Sequence, residues 1–336
     1  MGFSIQRSGM RLPFTSKASS TILKTGLEEE QRQETSRSLP NIKSFAIKQL
    51  SSLPNAFLDL LPRSFWETLE TQTLYKGTID PRVSKSIEDL KLAFKNLRAK
   101  LPALEEHAIS YGSNQSTKAW YHPSQKGKPT LFLSLGNLGT LRNLQDYIRF
   151  IQEKGYGCIT YEYPGFGTTK GKPTENSLIE TAQAVGTFLQ GRKKTPPSQT
   201  VLVGQSLGCN VATYLAGKGE YLALILNSPM SSFPDLIQAL FPRLTHYLPI
   251  YQHALSQWKN DEILPNLNTP IFMTAFKDDP IIPMASSQKL YKAATTPNKK
   301  WHLIEDRGHV VPPDEILEKI TAFLEGLSSP SPNSTK

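Results

Sequence analysis

The sequence predicts an α/β protein built on a mostly parallel sheet with helices on both faces, and three observations carry that expectation. From Thr117 onward, short apolar runs alternate with helix-length amphipathic stretches, the rhythm of strand–helix repeats. The apolar runs, such as "TLFLSLG" and "LALILNS", are nearly continuous, which fits strands covered on both faces. The 336 residues show no internal repeat, leaving room for one large α/β domain preceded by an extra segment.

Taken in order, residues 1–40 are rich in Ser, Thr, Arg and Gln and lack apolar periodicity; they are expected to form a disordered basic leader. Residues 41–104 read as a helical N-terminal segment. Within 41–75, Phe45, Leu50, Leu53, Phe57, Leu60, Leu61 and Trp66 suggest short helices broken by Pro54 and Pro62, because proline lacks the amide that a helix interior needs. This stretch is expected either to pack on the main domain as a collar or to make peripheral contact with a membrane surface. "SKSIEDLKLAFKNLRAKLPALEEH" reads as one helix, with Ser84 as N-cap and Pro102 near its end.

The α/β domain is then expected over 105–327. Its strands are "KAWYH", "TLFLSLG", "YGCITYEYPG", "TVLVGQS", "LALILNS", "PIFMTAF" and "KWHLIED". The helices between and after them are "LRNLQDYIRFIQEKG", "SLIETAQAVGTFLQGRK", "LGCNVATYLAGKG", "SSQKLYKAAT" and "DEILEKITAFLEGL". One insertion, about 231–268, breaks the rhythm. It is proline-punctuated and carries Phe241, Tyr247, Tyr251 and Trp258, so it reads as a short helical lid. Residues 328–336 are a frayed tail.

Composition narrows the function. The formal net charge is +9, but residues 1–128 hold 19 Lys/Arg against 12 Asp/Glu while the remainder holds 19 against 17. The basic excess therefore belongs to the front of the chain. Its lysines are dispersed among acids such as Glu28, Glu29 and Glu30 with no nucleic-acid motif, so no nucleic-acid partner is expected. Cys158 and Cys209 make neither a disulfide framework nor a metal-ligand spacing. No metal and no cofactor are expected. No run approaches the ~18 apolar residues of a spanning helix. "MGFSIQRSGMRLPF" lacks the apolar core of a signal peptide, and Gln6 stands where a myristoylation signal has Ser or Thr. A cytoplasmic protein is the expectation.

The chemistry centres on "VLVGQSLGCN", residues 201–210. Here G-x-S-x-G lies between a buried strand and a helix, the setting in which a tight turn lifts a serine hydroxyl clear of a sheet edge. Ser206 is the candidate nucleophile, and the Leu207 N–H at the helix start is a candidate oxyanion donor. A serine hydroxyl needs a base, and the base an orienting acid. "KDDPIIP" offers Asp278 and Asp279 after one strand, and "RGHVVPP" offers His309 after the last. The spacing of Asp279 to Pro283 favours Asp279. "LGNLGT", after "TLFLS", supplies a second candidate donor, the Asn137 N–H, between Gly136 and Gly139. His107, His122, His246, His253 and His302 fall before the elbow, in the insertion or inside a strand, and read as structural or surface residues.

With "YEYPGFGTTKGKPTENSL", "GQSLG", "ILNSPMSS", "LFPRLTHYLP", "DPIIP" and "RGH" in place, residues 105–327 resemble the alpha/beta-hydrolase superfamily. They are most similar to the small-lid branch that holds protein depalmitoylases and related serine hydrolases. The resemblance implies a Ser206–Asp279–His309 triad, an oxyanion hole at Leu207 and Asn137, and hydrolysis of an ester, thioester or amide. The chain departs from the family pattern at Leu135, Thr169 and Phe276, where the family has His, Ser and Gly. It also has no cysteine before Cys158, so lipid anchoring of the kind those depalmitoylases use is not expected. The reading is a cofactor-independent serine hydrolase acting on a small-molecule or acylated substrate, an ester or thioester with an apolar acyl group. A serine aminopeptidase-like amide hydrolase and a non-catalytic, hydrolase-like binding scaffold are the alternatives.

Overall fold

An eight-stranded sheet in the order β1-β2-β4-β3-β5-β6-β7-β8 organises the computed structural model. The structure describes residues 62–75, 86–240, 256–310 and 313–328. All of them lie in one unit that begins at Leu53. The leader, the whole of the 41–61 stretch, and the part of the insertion that holds Phe241, Tyr247 and Tyr251 lie outside the described residues.

The strands are β1 (Glu105–Tyr111), β2 (Gln115–His122), β3 (Thr130–Ser134), β4 (Gly157–Tyr161), β5 (Thr200–Gln205), β6 (Ala223–Asn227), β7 (Ile271–Phe276) and β8 (Lys299–Ile304). β1 pairs antiparallel with β2, and β2 with β4. Every other pairing is parallel. The helices are α1 (Arg63–Thr73), α2 (Ile87–Lys100), α3 (Gln145–Glu153), α4 (Glu175–Arg192), α5 (Leu207–Ala216), α6 (Phe233–Leu240), α7 (Asn260–Ile263), α8 (Met284–Ala293) and α9 (Pro313–Ser328).

Side chains that alternate along each parallel strand feed two cores. Phe132, Leu202, Leu224, Leu226, Ile271 and Met273 pack on one side with α4, α5 and α8. Leu131, Leu133, Val201, Val203, Ala223, Ile225 and Phe272 pack on the other with α2, α3 and α9. This is why the central strands read as unbroken apolar runs: from β3 to β7 neither face of the sheet meets water.

Two sequence expectations need correction. The helix predicted to run as far as His107 ends at Lys100, and Glu105 already belongs to β1. β1 is an edge strand whose Glu106, Ala108 and Ser110 are exposed, and whose other face places the polar Glu105 and His107 in line with buried Ile109 and Tyr111, so its apolar signal is thin. The β1–β2 hairpin turns at Gly112, whose φ of 57° favours glycine. The N-cap of α2 is Ser86 rather than Ser84: Ser86 Oγ accepts the Asp89 N–H at 3.1 Å, while Ser84 lies outside the described residues.

Of the collar expected over 41–75, residues 62–75 are described, and they pack on the main domain. Leu74 and Tyr75 join the core on the α4 side, and the Tyr75 and Ser256 hydroxyls lie 2.7 Å apart. Glu70 accepts the Ser256 N–H at 2.8 Å, and Glu175 accepts those of Gln257 and Trp258 at 2.6 and 3.2 Å. Carboxylates of α1 and α4 thus hold the chain as it leaves the insertion.

The turn after β4 is tied down by another buried carboxyl. Glu162 accepts the Thr168 N–H and hydroxyl, each at 2.9 Å, and the Thr169 hydroxyl at 3.4 Å. Thr169, one of the departures from the family pattern, is therefore part of this tie. Burial pushes the Glu162 carboxyl above its ordinary 4.5, and the threonine bonds pull back. A carboxyl raised in the folded state holds its proton where the unfolded chain has lost it. Its contribution to stability is therefore present below the unfolded value and lost as pH rises through the folded one. Glu162→Gln is expected to flatten the pH dependence of stability just above 4.5, measured as urea midpoints across that window.

Candidate active site

The site forms where the strand order reverses. β3 leads through α3 to β4 on one side, while β5 lies on the other side of β3. Crevices at such switch points sit at the C-terminal edge of the sheet. Here Ser134 pairs with Gly204, Gln205 with Asn227 and Asn227 with Thr274. β3, β5 and β6 therefore end within one residue of one another, β7 runs two residues further, and the loops that follow them emerge at the same edge.

Ser206 occupies the turn between β5 and α5. Its φ of 51° and ψ of −118° are unusual for a residue with a side chain and cost about 1–3 kcal/mol. The Ser206 N–H is held by the Asn227 carbonyl at 2.8 Å, and the Ser206 carbonyl takes the Cys209 N–H at 2.9 Å. Glycine is required on both flanks. A Cβ on Gly204 would lie 2.5 Å from Cys209 Cα, and one on Gly208 would overlap the Ser134 carbonyl. Leu207 opens α5, so its N–H has no carbonyl four residues back within the helix.

His309 lies in the loop after β8, buried at 7% exposure. Its Nε2 stands 2.8 Å from Ser206 Oγ. Its Nδ1 stands 2.8 and 3.0 Å from the two carboxylate oxygens of Asp279. Asp279 Oδ1 also accepts the Ile281 and Ile282 N–H groups at 2.8 and 2.9 Å. A carboxylate can only accept, so this arrangement assigns the imidazole proton to Nδ1 and leaves Nε2 to accept from the serine hydroxyl. The structure brings Asp279 to His309; Asp278 is exposed. Phe276, another departure from the family pattern, has a local role. A Cβ on Gly308 would meet its ring at 2.6 Å, so glycine before His309 fits the phenylalanine.

Gly136 borders Ser206, since a Cβ there would lie 3.6 Å from Ser206 Cβ. Asn137 follows it in a turn closed by Gly139 N–H to the Gly136 carbonyl at 3.0 Å. The remaining described histidines lie elsewhere. His107 faces Glu105 and Phe188, His122 donates to the Pro123 carbonyl, and His302 lies 3.9 Å from Glu315. His246 and His253 lie outside the described residues. Cys209 is buried with its Sγ–H on the Asn227 carbonyl at 3.2 Å, and burial pushes its thiol well up. Among the described residues, no three His, Cys, Asp or Glu side chains gather as a metal site would need.

Two residues that sequence reasoning passed over support this arrangement. The Asn227 carbonyl holds the elbow, and the Asn227 side chain is itself held by the Thr274 hydroxyl at 2.9 Å. Ser228, buried with a φ of 52°, donates its hydroxyl to the His309 carbonyl at 3.3 Å. The end of β6 thereby touches both Ser206 and His309. "LNSP" marks a strand end in the sequence, but nothing in it announces these contacts.

Comparison with known proteins gives the same architecture. A family model described as alpha/beta hydrolase fold matches residues 129–248. An uncharacterised Mycobacterium tuberculosis protein, Rv2307c, is 27% identical over 220 residues, covering 65% of this chain and 76% of that protein. The lysophosphatidylserine lipase ABHD12 of Danio rerio is 28% identical over 210 residues, covering 56% of this chain and 54% of that one. Among solved structures, the Pyrococcus furiosus esterase Pf2001 superposes with a TM-score of 0.55 at 17% identity, over 68% of this chain and 92% of its own. The described residues contain no helix long and apolar enough to cross a membrane. With the sheet order, the elbow and these likenesses together, the chain has the alpha/beta-hydrolase fold, and its relatives and the matching family model point to hydrolysis as the class of chemistry.

Proposed function

We propose that this chain is a serine hydrolase that cleaves an ester or thioester with an apolar acyl group through an acyl-enzyme. The observation that carries this reading is the unbroken run of hydrogen bonds from Ser206 Oγ through His309 to Asp279, with no gap longer than 3.0 Å. His309 Nε2 takes the Ser206 proton as Oγ bonds to the substrate carbonyl carbon. Asp279 fixes the imidazole's tautomer and stabilises the imidazolium that forms. The Leu207 and Asn137 N–H groups receive the developing oxyanion. The imidazolium then protonates the leaving alcohol or thiol as the carbonyl–heteroatom bond breaks. Water, deprotonated by the same Nε2, attacks the acyl-enzyme and releases the acid and the free serine.

The apolar acyl preference has its own support. Four large apolar side chains among the described residues are clearly exposed, namely Ile87, Leu92, Ile281 and Val310. Two of them, Ile281 and Val310, sit on the loops that carry Asp279 and His309. Exposed apolar side chains on those two loops favour a substrate that can cover them. The solved-structure likeness is to a protein described as an esterase, and one relative is described as a lipase, which agrees with the reading.

A panel of p-nitrophenyl esters of increasing chain length, acyl thioesters and aminoacyl amides on the purified protein tests this. The expected result is turnover of esters and thioesters that improves with acyl length. Turnover confined to aminoacyl amides would replace the reading with an aminopeptidase, and turnover of nothing by folded protein would leave a binding scaffold.

A further inference from the structure

We infer that Tyr163 is a positioning residue for the oxyanion loop: its buried hydroxyl donates to the Leu135 carbonyl and so sets the peptide groups that lead to Asn137. The inference rests on the serine-hydrolase reading above and adds a residue which that reading does not use.

Leu135 is the first residue past the end of β3, whose last pairing is Ser134 with Gly204. The Leu135 carbonyl therefore lies just beyond the sheet ladder in a buried place, Leu135 being 4% exposed. A buried carbonyl needs a donor. Tyr163 supplies it at 3.1 Å from across the sheet edge, just after β4. The tyrosine ring cannot drift. It is 1% exposed and sits edge-on between Tyr161 and Phe166, each with its ring centroid 5.5 Å away. Burial, with a smaller push from Tyr161, holds its hydroxyl well above the ordinary tyrosine range. It is a protonated donor at neutral pH.

Peptide planarity carries this contact toward the chemistry. Each peptide group is a rigid plane with C=O and N–H on opposite edges. Holding the Leu135 carbonyl fixes the Gly136 N–H. Holding the Gly136 carbonyl, which Gly139 does at 3.0 Å, fixes the Asn137 N–H. The same backbone leans on the elbow, because a Cβ on Gly208 would also lie 2.6 Å from the Leu135 carbonyl oxygen. Tyr163, Leu135, Gly208 and Ser206 thus form one line of contact. Where the family pattern has a histidine at position 135, this chain has leucine, whose side chain can make no hydrogen bond, and the carbonyl contact from Tyr163 holds this point of the loop.

The test is Tyr163→Phe, which removes one oxygen and keeps the ring and its neighbours. The control is Tyr75→Phe, which removes another buried tyrosine hydroxyl bond, the one to Ser256, in the collar. Four quantities are read: kcat and KM on the best ester, inhibition by an alkyl boronic acid that forms a tetrahedral adduct with the serine, and the cooperative thermal melt. Tyr163→Phe is expected to lower kcat by about 10- to 100-fold with KM within about twofold, because loss of oxyanion alignment acts on the transition state. Boronate affinity should fall in parallel. Tyr75→Phe should lower the melting temperature and leave kcat and boronate affinity at wild-type values. A folded Tyr163→Phe protein with wild-type kcat and boronate affinity would overturn the inference. So would a loss of activity in Tyr75→Phe as large as that in Tyr163→Phe, since the effect would then be loosened packing. A folded wild-type protein that hydrolyses no ester and binds no boronate would instead sink the serine-hydrolase reading, and this inference with it.

Discussion

Ser206→Ala is expected to reduce ester turnover on the order of 10⁴-fold or more while the protein stays folded. The substitution removes the only atom that can become the acyl acceptor at the end of the His309 bond. It leaves the backbone contacts of the elbow, Ser206 N–H to Asn227 and Cys209 N–H to the Ser206 carbonyl, intact. The strained φ of 51° stays too, because alanine tolerates it no better than serine. Stability should therefore change little and kcat should collapse, with KM moving only modestly. Steady-state kinetics beside a urea titration separate the two. Near-normal turnover in the folded variant would mean that the reacting atom lies elsewhere.

Asp279→Asn is expected to cost about 10⁴-fold in kcat, while Asp278→Asn stays within a few-fold of wild type. The contrast follows from how Asp279 is held. Its Oδ1 takes two backbone N–H groups, from Ile281 and Ile282, and asparagine would keep its carbonyl oxygen there. Its amide NH₂ would then face His309 Nδ1, where the carboxylate oxygen now stands at 2.8 Å. A donor at that place forces the imidazole proton onto Nε2, so the base can no longer accept from Ser206. Asp278, one residue away and exposed, has no part in this. The two variants assayed side by side on one ester check the assignment. A dead Asp278 variant and a live Asp279 variant would shift the acid by one position.

Much of this was legible in the sequence, for a physical reason. Strands covered on both faces must be apolar throughout, so "TVLVGQS" and "LALILNS" name themselves. The elbow is legible because its glycines are sterically forced: Gly204 and Gly208 pack against backbone where any side chain would collide. The order serine, acid, histidine could be read because parallel strands deliver their following loops to one edge. What escaped was structure whose signal is weak or purely geometric. β1 alternates too gently, with charged residues on its open face, to stand out from the helix before it. The left-handed backbone of Ser228 carries no glycine to mark it. The grip of Glu70 and Glu175 on residues 256–258 joins segments that are distant in sequence, through carboxylates that read as ordinary helix surface.

The central claim is that Ser206 is the activated nucleophile. Its most direct test is to treat the native, full-length protein with a fluorophosphonate at neutral pH and map the adduct by peptide mass spectrometry. A serine whose proton is drawn by His309 displaces fluoride and forms a stable phosphonyl ester, whereas an ordinary serine does not. The account expects one adduct per chain, on the peptide containing "GQSLG" and localised to Ser206, with none on that peptide in Asp279→Asn over the same exposure. An adduct on a different residue, or an unlabelled Ser206 in folded protein that still hydrolyses esters, would contradict it.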